Sequence, residues 1–324
     1  MTAKYLLTGV TGGLGAKILD DMLNVHSIPP QSIIATSRSE ANKVQYEARG
    51  LQFRVADFND PFTLDSAFKD VENLLFMSSS TRDTPTRNRE HANVVEAAKK
   101  ADVKKVWYVS LAFGGYANTS TISFQQAHYE TENLLKQSGL DFISLRAGVY
   151  TDAFPLFLNW YPSSPAILMP ELDPPVSESM IAFTTRAELG EAMATLLAKG
   201  LEALPKEVQP QGPKHIILLT GPKAESLFDI AGAISRGLGE KVPVWYLQPK
   251  EWIEASAKDD VGGKPRAWFE SRLDFTRSVI AGDAETVGPA LEVLLGRKPE
   301  TGMEGVERLV REDKGYTWHQ NHAR

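Results

Sequence analysis

Through the first half of the chain, short apolar runs alternate with segments whose apolar residues recur every third or fourth position. The runs Lys4–Thr8, Ser32–Thr36, Gln52–Ala56, Asn73–Met77, Lys105–Val109 and Asp141–Leu145 are rich in branched and aromatic side chains and read as strands. Between them, Gly13–Leu23, Pro61–Lys69, Thr86–Lys100 and Phe124–Gln137 carry helical spacing, and Glu40–Ala48 carries a shorter stretch of it. Continuously apolar strands are buried on both faces, and parallel strands need crossovers of this kind. The pattern predicts an α/β fold built on a doubly wound parallel sheet, with a nucleotide across the carboxyl ends of its strands.

The texture changes after Gly148. Pro155, Pro162, Pro165, Pro170, Pro174 and Pro175 stand among Phe154, Phe157, Trp160 and Tyr161, so regular structure is hard to sustain there. A linker would be polar. This stretch is expected to be an ordered aromatic loop over the site, or else ordinary surface packing. Beyond it come helices at Arg186–Ala198 and Ser226–Leu238, strands at His215–Leu219 and Val242–Leu247, and mostly helix to about residue 312. The expected division is a sheet domain over 1–150 and a smaller, mostly helical lobe over 151–324, intimately packed on it. The polar tail Gly315–Arg324 is expected to fray.

Composition narrows the classes. Of 324 residues, 42% are apolar, enough for a full core. A net charge of −6 without a long basic run argues against nucleic acid as a partner. The absence of cysteine excludes disulfides, thiolate nucleophiles and cysteine-ligated metals. His91, His215, His319 and His322 share no metal-ligand spacing with a carboxylate, so no metal is expected. No apolar run is long enough to span a bilayer, and the chain enters a strand at once with no signal-peptide core. A soluble cytoplasmic protein, monomer or homodimer, is expected, with no membrane partner.

The most informative segment is Thr8-Gly-Val-Thr-Gly-Gly-Leu-Gly15, directly after the apolar run Tyr5-Leu6-Leu7. Gly9, Gly12, Gly13 and Gly15 let the backbone turn tightly and let a diphosphate come close. Thr11 and Leu14 complete the turn. The helix that follows, with Leu14, Ile18 and Met22 on one face, aims its N-terminal amides at that diphosphate. Its place after the first strand strengthens a motif that is weak alone.

Arg38 stands just past the second strand, about 20 residues beyond the turn, where an acidic residue usually holds the ribose hydroxyls. A guanidinium there suits a 2′-phosphate, so NADPH is expected over NADH, with Ser37, Ser39 and Lys43 as further donors. Asp57 and Phe58 follow the third strand; the aspartate either accepts from an adenine amino group or closes an Asx turn. Ser78, Ser79 and Ser80 end the fourth strand, where such residues lie against ribose and diphosphate or cap the next helix. Ser110 ends the fifth strand. His128 lies near the start of the next helix with Glu132 one turn on; its imidazole orients a ribose, donates a proton or bonds a neighbouring loop.

Further stretches carry a resemblance: Ala56-Asp-Phe-Asn-Asp60, Asn73-Leu-Leu-Phe-Met-Ser78, His91-Ala-Asn-Val-Val-Glu-Ala-Ala98, His128-Tyr-Glu-Thr-Glu132 and Leu145-Arg-Ala-Gly-Val-Tyr150. With the glycine turn, they resemble atypical short-chain dehydrogenase/reductases of the NmrA-like group, in particular its NADPH quinone oxidoreductase and triphenylmethane-dye reductase branch. The likeness runs from the turn to the late Arg297-Lys-Pro-Glu-Thr segment. It implies a Rossmann domain with a smaller C-terminal substrate lobe. It also implies NADP held by the Thr11–Leu14 turn, Arg38, Ser78 to Ser80, and Gly148, Val149 and Tyr150.

One departure concerns catalysis. Ordinary members use Tyr-x-x-x-Lys; here the pair reads Phe124-x-x-x-His128, and a phenylalanine has no proton to give. Ser110 occupies the position expected of the family's serine. The resemblance implies a nicotinamide near Ser110, His128 and Tyr150. It implies a flat, conjugated acceptor such as a quinone, or a secondary-metabolite intermediate, beneath a wall of Phe113, Tyr150, Phe154 and Trp160. Catalysis is expected from proximity, with solvent or His128 supplying any proton. The rival expectation is an NADP(H)-binding redox sensor, with residues 154–176 as a partner surface.

Overall fold

A computed structural model describes residues 3–210 and 215–322. The apolar runs of the first half form β1 (Ala3–Leu7), β2 (Ile33–Ser37), β3 (Gln52–Val55), β4 (Val71–Met77), β5 (Lys105–Leu111) and β6 (Phe142–Ala147). Between them run α1 (Gly13–Asn24), α2 (Lys43–Glu47), α3 (Pro61–Ala67), α4 (Thr84–Lys100) and α5 (Ser123–Ser138). The strands are parallel, in the order β6-β5-β4-β1-β2-β3. The winding reverses between β1 and β4, so a crevice opens there at the carboxyl ends, beside the glycine turn.

The chain then forms β7 (Val149–Tyr150), α6 (Phe154–Leu158), β8 (Ile167–Pro170), β9 (Met180–Ile181), β10 (Phe183–Thr184), α7 (Arg186–Lys199) and β11 (Ile216–Leu219). β11 pairs in parallel with β6, Ile216 opposite Ser144, and completes a seven-stranded sheet. Leu189, Met193, Leu196 and Leu197 of α7 share a core with Leu14, Ile18 and Met22 of α1. The strand and helix that the sequence assigned to the second lobe therefore return across residue 150 to the first. The lobe itself holds β12 (Glu225–Ser226), α8 (Leu227–Leu238), β13 (Val244–Leu247), α9 (Pro249–Ala257), α10 (Arg266–Ile280), α11 (Ala290–Leu295) and α12 (Gly302–Glu312). Strand pairs β7–β10, β8–β13 and β9–β12 knit it together.

Two expectations are corrected. The proline-rich stretch is regular in part: Pro155 sits in the first turn of α6 and Pro170 closes β8, positions that tolerate a missing amide. Phe154 and Trp160 are core residues, clustered with Phe183, Ile230 and Val306. The tail does not fray as far as residue 322. Tyr316 stacks on Phe154 at 5.7 Å and donates to the Asp152 carbonyl at 2.6 Å. Buried Asn321 donates to the Trp160 carbonyl at 2.9 Å. Residues 323–324 lie outside the described residues.

A buried ion pair lies beside β5 and β6. Arg146 of β6 meets Glu132 of α5 at 2.5 Å, and its remaining donors reach the carbonyls of Gly115 (2.6 Å) and Ala117 (2.9 Å) and the Asn118 side chain (2.6 Å). Glu132 also accepts from Ser110 (2.9 Å) and Ser144 (2.6 Å). Removing one partner leaves an uncompensated buried charge. Arg146→Met is expected to cost about 3–5 kcal/mol in urea unfolding, and adding Glu132→Leu to restore part of the loss. An unchanged midpoint for the single variant would contradict this account of the pair.

Candidate functional site

Gly9 takes φ +71°, and a Cβ there would stand 2.7 Å from the Met77 side chain. The Gly12 amide donates to the Gly9 carbonyl at 3.0 Å, and a Cβ on Gly15 would overlap that same carbonyl. The turn is thus folded on itself so tightly that only glycine fits. α1 begins without a side-chain cap and without an acid in its first turn, and Thr11, Gly12 and Gly13 are exposed. Amides that a cap would occupy are left to an anion, and the helix dipole favours it.

Arg38, exposed after β2, makes no hydrogen bond or ion pair among the described residues. The donors expected beside it are mostly engaged. Ser37 Oγ binds the Asn42 side chain (3.0 Å) and the Ser39 backbone, Ser39 caps the turn Glu40–Asn42, and Lys43 leans towards Glu40 at 3.7 Å. Asp57 closes an Asx turn, Oδ1 accepting from the Asn59 amide at 2.9 Å. Phe58 lies edge-on to Phe76 at 5.8 Å.

The serine loop is pinned by α4. The Ser79 amide donates to His91 Nε2 at 2.9 Å, Ser78 Oγ lies 3.3 Å from the same nitrogen, and Ser79 Oγ donates to Glu90. Glu90 also accepts from Asn59 at 2.6 Å, which joins the serine loop to the Asp57 loop. Ser80 is exposed. Asp83 caps α4, so the serines do not. His91 Nδ1 lies 2.7 Å from Thr131 Oγ1, whose own proton goes to the Ala127 carbonyl at 2.8 Å. The ring therefore carries its proton on Nδ1 and accepts at Nε2. Burial, then the Arg87 charge, push its pKa down to about 3. Sequence reasoning set His91 aside; the signal was its place on the apolar stripe of α4 beside Val94, Val95 and Ala98.

Ser110 is not where chemistry was expected. It is fully buried and its hydroxyl is spent on Glu132, so it supports the ion pair rather than a ligand. His128 is buried with Nδ1 2.7 Å from the Tyr108 hydroxyl. Burial, reinforced by Arg87, His91 and Arg146, holds its pKa well below 6.5, and burial pushes the Tyr108 phenol up. A neutral imidazole of depressed pKa is a hydrogen-bonding group and a poor source of protons at neutral pH, which corrects the acid role expected of it.

Gly148 donates to the Leu219 carbonyl at 2.8 Å, and a Cβ there would overlap Thr184 Oγ1. Val149 and Tyr150 pair with Phe183 and Thr184. Burial pushes the half-exposed Tyr150 up to about 12, so it too stays protonated. Phe154 and Trp160 cannot line a substrate wall, being core, and Phe113 is buried. Phe124, Phe157 and Trp268 are half-buried, as Tyr150 is; Phe124 lies 5.3 Å from Phe113 and 6.2 Å from Phe275.

One residue escaped the sequence altogether. Arg186 opens α7, donates to Asp152 Oδ2 at 2.6 Å and lies 4.7 Å over the Trp318 ring. A Cβ on Gly13 would overlap its guanidinium. The packing of α7 on α1 thus sets a cation on the open first turn, and no local spacing announces it. Among the described residues no cluster could hold a metal ion, and no helix is long and apolar enough to cross a membrane.

Acid sensitivity follows from the neutral histidines. In the folded state His91 stays neutral down to about 3, whereas unfolded it protonates below its ordinary 6.5. The unfolded chain binds more protons in that window, so stability falls as pH drops, by about 1.4 kcal/mol per pH unit for one histidine. His91→Gln is expected to flatten the urea midpoint against pH by that share; an unchanged slope would contradict it.

Residues 9–200 match the NAD(P)H-binding family. The chain is 39% identical over 323 residues, 99% of each protein, to the NmrA-like family domain-containing oxidoreductase flvB of Aspergillus flavus. It is 30% identical over 307 residues to quinone oxidoreductase 2 of Escherichia coli, covering 94% of this chain and 97% of that one. It superposes on Citrobacter sp. triphenylmethane reductase complexed with NADP(H), with a TM-score of 0.76 and 25% identity over 94% of this chain and 99% of that one. The chain therefore belongs to the NAD(P)H-binding family and is an NAD(P)H-dependent oxidoreductase of the NmrA-like group.

Proposed function

We propose that the chain is an NADPH-dependent reductase that passes hydride to a flat, conjugated electrophile such as a quinone. The carrying observation is the lack of an acid. Phe124 stands half-buried one turn before His128, where ordinary short-chain dehydrogenases place their tyrosine, while burial disfavours the charged form of His128 and makes the Tyr150 phenol a weaker acid than usual. An acceptor whose reduced form delocalises charge needs no such acid; an isolated carbonyl does. The likeness to a quinone oxidoreductase and a triphenylmethane reductase supports the same choice.

NADPH, when bound, supplies the hydride. The residues present fit it. The α1 amides and Arg186 would hold the diphosphate, and Arg38 would hold the 2′-phosphate. Asp57 keeps Oδ2 for the adenine beside Phe58. The loop Ser78 to Ser80, held by Glu90 and His91, would border the ribose, and Gly148 to Tyr150 the nicotinamide. His128 would offer a ring nitrogen to a ribose or acceptor hydroxyl. Catalysis then rests on orientation, with solvent as the proton source.

NADPH oxidation, followed at the nicotinamide absorbance with a panel of quinones and one cationic dye, tests this directly, with binding read by tryptophan quenching. Turnover is expected. Quenching without turnover across the panel would overturn it in favour of a redox sensor. Arg38→Ala is expected to raise the KM for NADPH by about tenfold to a hundredfold, the worth of charge-assisted hydrogen bonds, and to leave NADH unaffected. Equal losses for both cofactors would contradict the 2′-phosphate role.

A further inference from the structure

Arg272 of α10 is a charge without a counter-charge. Its guanidinium carbon lies 4.6 Å from the Phe275 ring centre, 4.7 Å from Trp268 and 5.5 Å from Phe157. Its Nε is shut from solvent and makes no hydrogen bond. No carboxylate pairs with it among the described residues, and burial alone pushes its pKa down to about 10. Arg272 is half-buried, its Nε shut in and its outer nitrogens open, and two fully buried cations are treated differently. Arg146 has Glu132, and Lys264 has Asp260 at 3.1 Å together with the Asn321 carbonyl at 2.6 Å. Lys264 is also close enough to Arg272 to feel its repulsion. Contact with three rings offsets part of the desolvation of one cation, but rings do not satisfy a five-donor fork.

The position of this fork matters. Phe275, on which it rests, touches Phe124 at 6.2 Å, Phe113 at 5.8 Å and Phe157 at 5.5 Å. Arg272 therefore lies against Phe157 and Trp268 and, through Phe275, one ring away from Phe124, which stands one turn of α5 before His128.

We propose that Arg272 anchors the acceptor by an anionic group, a carboxylate on or beside its conjugated system, while the flat part lies on Phe124, Phe157 and Trp268. The inference rests on the reductase reading for what the anchored molecule undergoes, and on Arg272 for its charge. A planar guanidinium takes a carboxylate through two parallel hydrogen bonds, whereas a neutral ligand lying over the fork displaces its water without supplying a counter-charge, so the site selects against uncharged acceptors.

The test uses the NADP⁺-loaded protein with two flat probes that cannot be reduced there, naphthoate and its neutral amide. Calorimetry is expected to show naphthoate binding about tenfold to a hundredfold more tightly than naphthamide. Arg272→Met is expected to bring the ratio near one, and Arg272→Lys to keep part of it; retained NADP⁺ affinity certifies the fold of each variant. Equal binding of the two probes, or a preference that survives Arg272→Met, would overturn the proposal. A parallel NADPH assay compares a neutral quinone with the same quinone bearing a carboxylate. No turnover of either, beside an intact naphthoate preference, overturns the reductase reading and upholds the anion site. Equal kcat/KM for both quinones, beside equal binding of the probes, overturns the anion site alone.

Discussion

At the switch point of the sheet, backbone meets backbone: the Gly9 carbonyl lies where a Cβ of Gly15 would be, and Gly9 itself lies against Met77 of β4. This close approach fixes where α1 starts and leaves its first turn open. The same helix then orders the rest. A Cβ on Gly190 of α7 would overlap Lys17 of α1, so the two helices pack at short range. That packing sets Arg186 over Gly13, and Arg186 in turn holds Asp152 and Trp318. The C-terminal segment closes over Asp152 through Tyr316. A cofactor turn at the start of the chain and a tail at its end are linked by one series of contacts.

Charge is distributed with a consistent sense around this turn. Burial keeps His91 and His128 neutral and keeps Tyr108 and Tyr150 protonated. The interior of the site thus carries little charge of its own, while Arg38, Arg186 and Arg272 are distributed over three different elements around it. Cations in a protein of net charge −6 are arranged locally, and a local field rather than the overall balance is what an anionic ligand meets. The buried pair of Glu132 with Arg146 lies beneath, where it locks β5, β6 and α5 in register.

Much of this was legible in the sequence, for physical reasons. Strands buried on both faces must be largely apolar, so the first six could be located to within a residue or two, and the glycine turn declares itself because no other residue fits. What escaped depends on long-range packing. Ile216–Leu219 reads as a strand, but nothing in its composition says that it pairs with β6. Arg186 is an ordinary helix-opening residue until α7 meets α1. Ser110 was read as a site residue from its place at a strand end, yet its side chain points to the face where Glu132 waits. Phe154 and Trp160 were read as a wall because prolines suggested a loop; the prolines instead start a helix and close a strand, which turns those rings inward and leaves Phe157 half-exposed.

The account's central claim is hydride transfer without a protein acid. It is tested most directly by isotope effects on kcat/KM, using NADPH deuterated at the transferred position and, separately, heavy water as solvent. The account predicts a primary effect from the deuterated cofactor and no comparable effect from the solvent, because neither Phe124 nor neutral His128 delivers a proton in the rate-determining step. A large solvent effect, with little from the cofactor, would contradict it and return an acid to the site.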